Sequence, residues 1–448
     1  MTKSADQMSI RRVSGHPTFL EATREWARIG LLSFGGPTAQ IALMHRVVVD
    51  ERKWLSESRF LNALSFCMLL PGPEATQLAT YVGWRLHGIP GGLVAGVLFV
   101  LPGAAVILML ATIYALFGNV PLVETIFFGI KAAVLVIVIE ALLRISRRTL
   151  KGTGPWIIAM LAFFGIFFLA LPFPLIVLLA ALYGYVFTTS RDDQGDGEQP
   201  DSLPPMKSRS LASTVATIAI WLAVWIVPLA AMTLALGPDH ILSHLALFFS
   251  KLAVVSFGGA YAVLAYMTET VVVVHNWLLP GQMLDALGLA ETTPGPLILV
   301  TEFVGYLAAF RQATDHPILL GVAGAAVTLW ATFAPCFLWI FAGAPYIEWL
   351  NTRPRLKSAL SAITAAVVGV ILNLAIWFAL HVFFAKVNTQ QLGIFRIYLP
   401  DSGTLNLQVV AIAMISTVLL LARQLSVPLV LGTSAALALV IRMLTQIM

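Results

Sequence analysis

Two stretches of the sequence combine residues that interrupt a helix with polar side chains that could bind an anion. In the first, Ser33–Gly36 reads Ser-Phe-Gly-Gly and Pro71–Glu74 reads Pro-Gly-Pro-Glu. An interrupted helix leaves backbone N–H groups without intrahelical partners, and each helix start carries roughly half a positive charge. Several such starts that converge on one place would bind an anion, up to the charge of a dianion.

The same pattern recurs later in the chain at a constant offset. Ser256–Gly259 again reads Ser-Phe-Gly-Gly and Pro294–Pro296 again reads Pro-Gly-Pro, so the offset is 223 residues (256 − 33 and 294 − 71). A valine and a tryptophan between these motifs recur at the same offset: Val49, Val272, Trp54 and Trp277. Matches at one spacing over about 40 residues indicate an internal duplication.

We predict that the anion is bound by residues at these interruptions and by one basic residue in each half. The candidates in the first half are Arg28, Ser33, Gly35, Gly36, Pro71, Gly72, Pro73, Glu74, Thr76 and Gln77, with Gln40 as a further donor. The candidates in the second half are Lys251, Ser256, Gly258, Gly259, Pro294, Gly295 and Pro296. Arg28 and Lys251 occupy equivalent positions, five residues before each Ser-Phe-Gly-Gly. A side chain that snorkels at a helix end is the alternative for both.

Charged residues inside apolar runs are candidates for binding protons, because a charge in lipid costs about 2.5–3.5 kcal/mol. The coupling candidates are Glu74, Lys131, Glu140, Glu291 and Glu302. For Glu74 the alternative is a carboxylate that only caps a helix start. Lys131 and Glu140 face nearly opposite directions on one helix, so we do not expect them to pair. The histidines have no metal-ligand spacing, and the sequence predicts neither a metal site nor a cofactor.

The composition places these motifs in a membrane. The chain has 448 residues, of which 59% are hydrophobic and 11% charged, and a mean hydropathy of +0.88. Soluble domains carry roughly 25% charged residues, so we predict an all-α polytopic membrane protein with the lipid bilayer as its solvent. The sequence contains no phosphate-binding loop, so we do not expect ATP to be the energy source. It contains no nucleophile–base grouping either, so we do not expect an enzyme. Nothing in the sequence points to nucleic acid.

The elements that must position the candidate residues are short. The segments beside the interruptions fall below the roughly 20 residues that cross a bilayer, and we expect half-helices to begin near Pro37, Pro73, Ala260 and Pro296. We predict broken or re-entrant helix hairpins, with kinked full-length spans as the alternative. The predicted regions are a tail (1–18), repeat 1 (19–188), a hydrophilic linker (189–210), a connecting transmembrane helix (211–236) and repeat 2 (240–448).

Lysine and arginine predict how the two halves are oriented, because they favour the cytoplasmic side. The loops at 46–59 and 144–151 are basic, whereas the loop at 268–282, which is equivalent to the first, contains no Lys or Arg. With the extra span at 211–236, this pattern predicts two inverted repeats. The tail and the linker would then be cytoplasmic and the C-terminus periplasmic.

The spacing of the motifs resembles the signature of the chromate ion transporter family, in its long-chain, two-domain type. That spacing is Gly-Gly, twelve residues, Val, four residues, Trp, sixteen residues and Pro-Gly-Pro, and both halves satisfy it. The resemblance implies export of chromate across a bacterial inner membrane by an antiporter that uses the proton-motive force, with chromate resistance as the result. A transporter or exchanger of sulfate or another oxyanion and an uncoupled anion channel are the alternatives, and a homodimer stays open.

The second half departs from the first directly after Pro-Gly-Pro. Leu297–Leu299 replaces Glu74–Thr76. The signature residues shape the backbone and do not select one anion. They therefore do not predict whether the substrate is chromate or sulfate. We expect the first half to make more of the polar contacts.

Overall fold

The computed structural model describes residues 17–187, 211–257, 259–347 and 353–447. Most of the predicted tail, the whole predicted linker and the candidate residue Gly258 lie outside these ranges. The helices of the first half are α1 (Phe19–Leu32), α2 (Gly36–His45), α3 (Glu57–Leu69), α4 (Glu74–Phe117), α5 (Pro121–Thr149), α6 (Thr153–Phe167) and α7 (Phe173–Phe187).

One further helix, α8 (Leu211–Leu236), precedes the second half. The helices of the second half are α9 (Ile241–Val255), α10 (Ala260–Thr268), α11 (Pro280–Thr292), α12 (Val300–Gln312), α13 (Pro317–Gly343), α14 (Pro354–Phe383), α15 (Leu407–Thr417) and α16 (Val427–Ile447). Short π-helical segments extend three helices, at Arg46–Glu51, Glu269–Val274 and Val418–Ala422. Turns of 3₁₀ helix lie at Leu297–Leu299, Ala344–Tyr346 and Ser402–Thr404.

Six helices in the described ranges are long and apolar enough to cross a membrane, namely α4, α5, α8, α13, α14 and α16. The chain is therefore an all-α polytopic membrane protein, as its composition predicts. The helices beside the interruptions are shorter, with 14 residues in α1, 13 in α3, 9 in α10 and 13 in α11. Each is below the roughly 20 residues that a span requires, which agrees with the prediction of broken helices.

Helix α4 folds back on itself at His87 and Gly88, where the backbone leaves helical geometry. Gly88 has a φ of +64°, which glycine adopts readily because it lacks a Cβ. The two parts of the helix meet across the bend: a Cβ on Gly83, before it, would lie 2.3 Å from the carbonyl oxygen of Gly91, after it. The first part of α4 is therefore a half-helix of its own, as the sequence predicts.

The duplication is visible in the backbone as well as in the sequence. The π-helical segments Arg46–Glu51 and Glu269–Val274 are 223 residues apart, and Lys53 and Asn276, also 223 apart, both have a φ of +52°. The fourth half-helix departs from the pattern. After Pro296 the chain makes a 3₁₀ turn before α12 begins, whereas α4 begins directly after Pro73.

The two halves interlock through their last helices. Helices α6 and α7 of the first half pack on α14 of the second, and α15 and α16 of the second half pack on α5 of the first. At one contact, a Cβ on Gly369 of α14 would lie 2.0 Å from the carbonyl oxygen of Ala159 in α6. Each half therefore completes the core of the other.

An antiparallel β-hairpin between α14 and α15 is a feature that the sequence analysis leaves unassigned. Strand β1 (Val387–Leu392) pairs with β2 (Phe395–Pro400) along their whole length. Gly393, in the two-residue turn, has the positive φ of +63° that such turns require. The backbone N–H of Arg396 donates to the carbonyl oxygen of Phe168 at 2.7 Å, so the hairpin rests on the turn between α6 and α7.

Candidate functional site

The interruptions of the two repeats meet at one buried place, which we call the crossing. The Gly72 N–H donates to the carbonyl oxygen of Ser256 at 3.0 Å, and the Gly295 N–H donates to the carbonyl oxygen of Ser33 at 2.8 Å. The two donors are 223 residues apart, and so are the two acceptors, so the repeats exchange equivalent hydrogen bonds. Ser33 and Ser256 are both buried. The candidate residues around Pro71–Pro73 and Pro294–Pro296 are thus brought together.

Two glutamines of the first half reinforce the crossing. The Gln40 side-chain nitrogen donates to the carbonyl oxygen of Gly295 at 2.6 Å, and that of Gln77 donates to the carbonyl oxygen of Pro71 at 2.7 Å. Valines occupy both equivalent positions in the second half. Both glutamine side-chain oxygens are buried and have no hydrogen-bond partner in the described part of the chain. At these two equivalent positions, the polar side chain is therefore present only in the first half.

A small residue of a long helix lies behind each interruption. A Cβ on Gly103 of α4 would lie 2.2 Å from the carbonyl oxygen of Pro294, so only glycine fits there. On the other side, the Cys336 sulfur of α13 lies 3.4 Å from the place that a Cβ on Gly72 would occupy. Gly103 and Cys336 are equivalent in the two repeats, at an offset of 233. Equivalent positions of the two long helices therefore lie beside the two interruptions, one by a close backbone approach and the other through the Cys336 side chain.

Glu74 reaches from the first repeat to a helix start of the second. Its carboxylate oxygens lie 3.8 and 3.9 Å from the place that a Cβ on Gly259 would occupy, directly before α10. A helix start favours a negative charge, so the carboxylate occupies a place that suits an oxyanion. At the equivalent Gly36, no described residue outside its own stretch of helix lies within 4 Å of the Cβ position. The two helix starts therefore differ in what faces them.

The crossing is closed in this conformation. A cavity of about 10 Å³ remains there, with Gly72, Ser256, Gly259 and Thr332 in its lining. A single water needs roughly 10–15 Å³, and an anion with four oxygens around a central atom is several times larger. An oxyanion could enter only after the two interruptions separate.

The two predicted basic residues lie in different surroundings, although they are equivalent in sequence. The Arg28 side chain is about half exposed and forms ion pairs with Glu25 at 3.5 Å and Glu51 at 3.8 Å. Lys251 is exposed and lines a cavity of about 720 Å³ with Glu269 and Tyr266. In the described part of the chain, neither side chain forms a hydrogen bond or an ion pair with the crossing residues.

Lys131, a coupling candidate that is itself half-buried, forms an ion pair with a buried aspartate that the sequence analysis missed. Its ammonium group lies 3.3 Å from a carboxylate oxygen of Asp285 in α11, and the Tyr114 hydroxyl donates to that same oxygen at 2.7 Å. The other Asp285 oxygen is buried without a partner in the described ranges. Asp285 is equivalent to Asn62, so a polar residue at this position in both halves is the signal that could have found it.

The remaining candidates are scattered. Glu291 is buried and accepts a hydrogen bond from the Tyr261 hydroxyl at 2.7 Å. Glu302 and Thr76 are buried, and each has a side-chain oxygen without a partner in the described part of the chain. Glu140 pairs with Arg144 at 3.6 Å, one turn along α5, and not with Lys131.

Membrane-length helices around a buried meeting point of broken helices are the architecture of a membrane transporter. The chain belongs to the chromate transporter family: residues 20–185 and 243–440 both match the sequence profile of that family. The two matched segments contain the two copies of the duplicated motif.

Relatives with assigned names agree with this membership. The chain is 30% identical to a probable chromate transport protein of Synechococcus elongatus over 80% of its own length and 84% of the relative. It is 31% identical to a chromate transport protein of Pseudomonas aeruginosa over 77% of each chain. It is 28% identical to a chromate transport protein of Cupriavidus metallidurans over 79% and 81%. No solved structure matches the chain.

Proposed function

We propose that the chain exports chromate across the cytoplasmic membrane of a bacterium, powered by the proton-motive force, and so confers chromate resistance. Family membership supports an oxyanion as the substrate. The observation that carries the proposal is the exchange of hydrogen bonds between Gly72 and Ser256 and between Gly295 and Ser33. It joins two equivalent interruptions at one buried place, where a substrate could be bound by both repeats.

Opening the crossing would prepare it for an anion. Each backbone hydrogen bond contributes a net of only about 0.5–1.5 kcal/mol, so bonds to an oxyanion could replace the pair at little cost. The Gly72 and Gly295 N–H groups would then donate to the substrate, beside the starts of α4 and α10. A bound dianion would repel the Glu74 carboxylate, which would take up a proton or move away.

Charge distribution supports an inverted arrangement of the repeats. The basic loop that contains Arg46 and Arg59 would be cytoplasmic, and its counterpart between Thr268 and Gln282, without Lys or Arg, would be periplasmic. We place the N-terminus in the cytoplasm and the C-terminus in the periplasm. The repeats would span 19–188 and 240–448. Helix α8 would cross the membrane once between them, so that the second repeat inserts with the opposite orientation to the first.

The membrane potential favours this direction of transport. Moving a dianion out of a negative interior is worth about 4.6 kcal/mol per 100 mV, twice the value for a single charge. The electrical part of the proton-motive force could therefore drive export by itself, and a pH gradient would add to it through a carboxylate such as Glu74.

The proposal is tested with purified protein in liposomes loaded with chromate. We expect a potassium diffusion potential, negative inside, to accelerate chromate release, and a pH gradient to change the rate further. A release that follows the potential and ignores the pH gradient would indicate an uncoupled channel. Equal competition by sulfate would indicate a general oxyanion transporter. No release from the unsubstituted protein contradicts the proposed function.

Gly295→Ala tests the crossing in the same assay. Gly295 has a φ of +89°, and a Cβ there would lie 3.2 Å from the Gly103 Cα. Strain of about 1–3 kcal/mol at such a position should slow chromate release by about 5- to 150-fold. Gly432→Ala is the matched control, because no residue that the structure describes outside the local helix lies within 4 Å of the Cβ position of Gly432. The crossing would be excluded as the transport site if the Gly295→Ala protein elutes from a size-exclusion column like the unsubstituted protein and releases chromate at the same rate.

A further inference from the structure

A second cavity lies beside the start of α2 and has a volume of about 640 Å³. Its walls come from the junction of α1 and α2, from the end of α5 and from the turn before α16. The polar and charged residues in its lining are Glu140, Arg144, Arg147, Gln424 and Ser426. Of these residues, only Glu140 is among the candidates predicted from the sequence.

The charged residues form one positive face. Glu140, Arg144 and Arg147 are spaced four and three residues apart, so they lie on the same side of α5. Arg144 forms an ion pair with Glu140, with 3.6 Å between the charged atoms. Arg147 has no carboxylate partner in the described part of the chain. The lining therefore holds two positive charges and one negative charge, with one arginine unneutralised.

The cavity adjoins the crossing. Gly35 is part of its wall and lies two residues after Ser33, whose carbonyl oxygen accepts the Gly295 hydrogen bond. The space at the neighbouring Gly36 is open, since no side chain from elsewhere in the described ranges lies within 4 Å of its Cβ position. The wall of the cavity at Gly35 is therefore two residues along the chain from the crossing.

The second half has no arginines at the positions equivalent to Arg144 and Arg147, and its large cavity shares only part of its lining with the first. The cavity of about 720 Å³ is lined by Ala170 and Pro172, which are equivalent to Gln424 and Ser426 at an offset of 254. The positions equivalent to the charged face of α5, at an offset of 233, hold no charge: Asn373, Trp377 and Leu380. The paired arginines therefore distinguish one side of the molecule from the other.

We propose that the cavity of about 640 Å³ is the cytoplasmic vestibule of the transporter, where Arg144 and Arg147 bind a tetrahedral dianion before the crossing opens. This inference rests on the proposed function. Arginine presents a planar fork of N–H donors that fits an oxyanion, and a positive cleft raises the local concentration of anions. Membrane insertion alone favours cytoplasmic arginines, but it does not require a cavity between them.

A cysteine reporter tests the vestibule. Ser426 is exposed in the cavity lining, and the native Cys67 and Cys336 are buried, so Ser426→Cys offers a single reactive thiol. The purified full chain is treated with a negatively charged thiol reagent in sodium sulfate or in sodium chloride of equal ionic strength. Sulfate is the probe because chromate oxidises thiols. We expect sulfate to slow the reaction several-fold, and Arg144→Gln with Arg147→Gln to abolish this protection.

Two controls and a second reporter accompany this test. Ser56→Cys, an exposed serine outside the cavity, should not be protected, and Lys151→Gln, which removes a charge from the same loop, should leave protection intact. Ala39→Cys, on the α2 wall of the cavity, is the second reporter. With both arginines present, sulfate should slow its reaction with the thiol reagent as it does at Ser426→Cys.

The possible outcomes separate this inference from the proposed function. Protection that survives the loss of both arginines overturns the vestibule. So does the absence of protection at both reporter positions in preparations that still transport chromate. Protection by liposomes that contain phosphatidylglycerol, without protection by sulfate, would assign the cavity to a lipid headgroup and likewise overturn the inference. In each of these cases chromate release from the unsubstituted protein still supports the proposed function.

Discussion

Glu74 faces the start of α10, and a bound dianion would share that place with its carboxylate. Protonation removes the charge of Glu74 and with it the repulsion. Binding of the anion should therefore strengthen as the pH falls and weaken as the pH rises. Glu74→Gln is neutral at every pH, so we expect this variant to bind the anion with an affinity that changes little with pH.

The measurement is the apparent affinity for chromate from mildly acidic to mildly alkaline pH, in the unsubstituted and the Glu74→Gln protein. Protonation of chromate itself affects both proteins equally and cancels in the comparison. Glu124→Gln is the matched control, since Glu124 is an exposed carboxylate in the first turn of α5. Identical pH profiles for the Glu74→Gln and unsubstituted proteins would show that Glu74 carries no coupling proton.

The residues that interrupt the helices could be read from the sequence, whereas their partners could not. Glycine and proline restrict the local backbone in known ways, so Gly72 and Gly295 were recognisable by type and spacing. The contact of Gln40 with Gly295 joins residues 255 positions apart, and that of Tyr114 with Asp285 joins residues 171 apart. No local propensity reports such contacts.

At the scale of elements, the Lys131–Asp285 pair ties α11 to α5, and the Tyr114 hydroxyl ties it to α4. Lys131→Met would leave the buried Asp285 carboxylate without its cation. We expect a loss of up to about 3 kcal/mol in stability, because removal of one partner from a buried pair costs more than removal of both. Adding Asp285→Asn to Lys131→Met should restore part of that loss.

Thermal unfolding of the single and double variants in detergent checks this expectation. The double-mutant cycle isolates the interaction between the two side chains from their separate contributions. If the two single losses simply add, the ion pair contributes nothing to holding α11 in place.

The starts of the half-helices were the local feature of the fold that the sequence predicted best. Helices α2, α4 and α10 begin near Pro37, Pro73 and Ala260, as the glycine and proline interruptions predict. Gly91 and Gly92, by contrast, lie inside α4, so a glycine pair does not by itself end a helix. The β-hairpin was missed because its strands are short and mostly exposed, without the apolar alternation that marks a half-buried strand. The fold-back of α4 at Gly88 was recognisable only as a gap between two segments, because the contact of Gly83 with Gly91 depends on packing.

For the whole molecule, the inverted arrangement predicts that equivalent loops lie on opposite faces of the membrane. Ser56 and Leu279 are 223 residues apart, precede equivalent helices and are both exposed. A membrane-impermeant maleimide should therefore label Leu279→Cys in whole cells and Ser56→Cys only in inside-out vesicles. Buried Cys67 and Cys336 provide a low background. Labelling of both positions from the same side would rule out inversion.

The interlocked packing of the halves has a consequence for synthesis. Helices α6 and α7 pack on α14, where Gly184 of α7 meets the backbone of Ser358 so closely that a Cβ would lie 2.5 Å from its oxygen. The ribosome makes Pro354, the first residue of α14, 167 residues after Phe187, the last of α7 (354 − 187). The nascent chain must therefore keep the small-residue faces of α6 and α7 in lipid until α14 arrives, and the core of the first half closes only when translation is nearly complete.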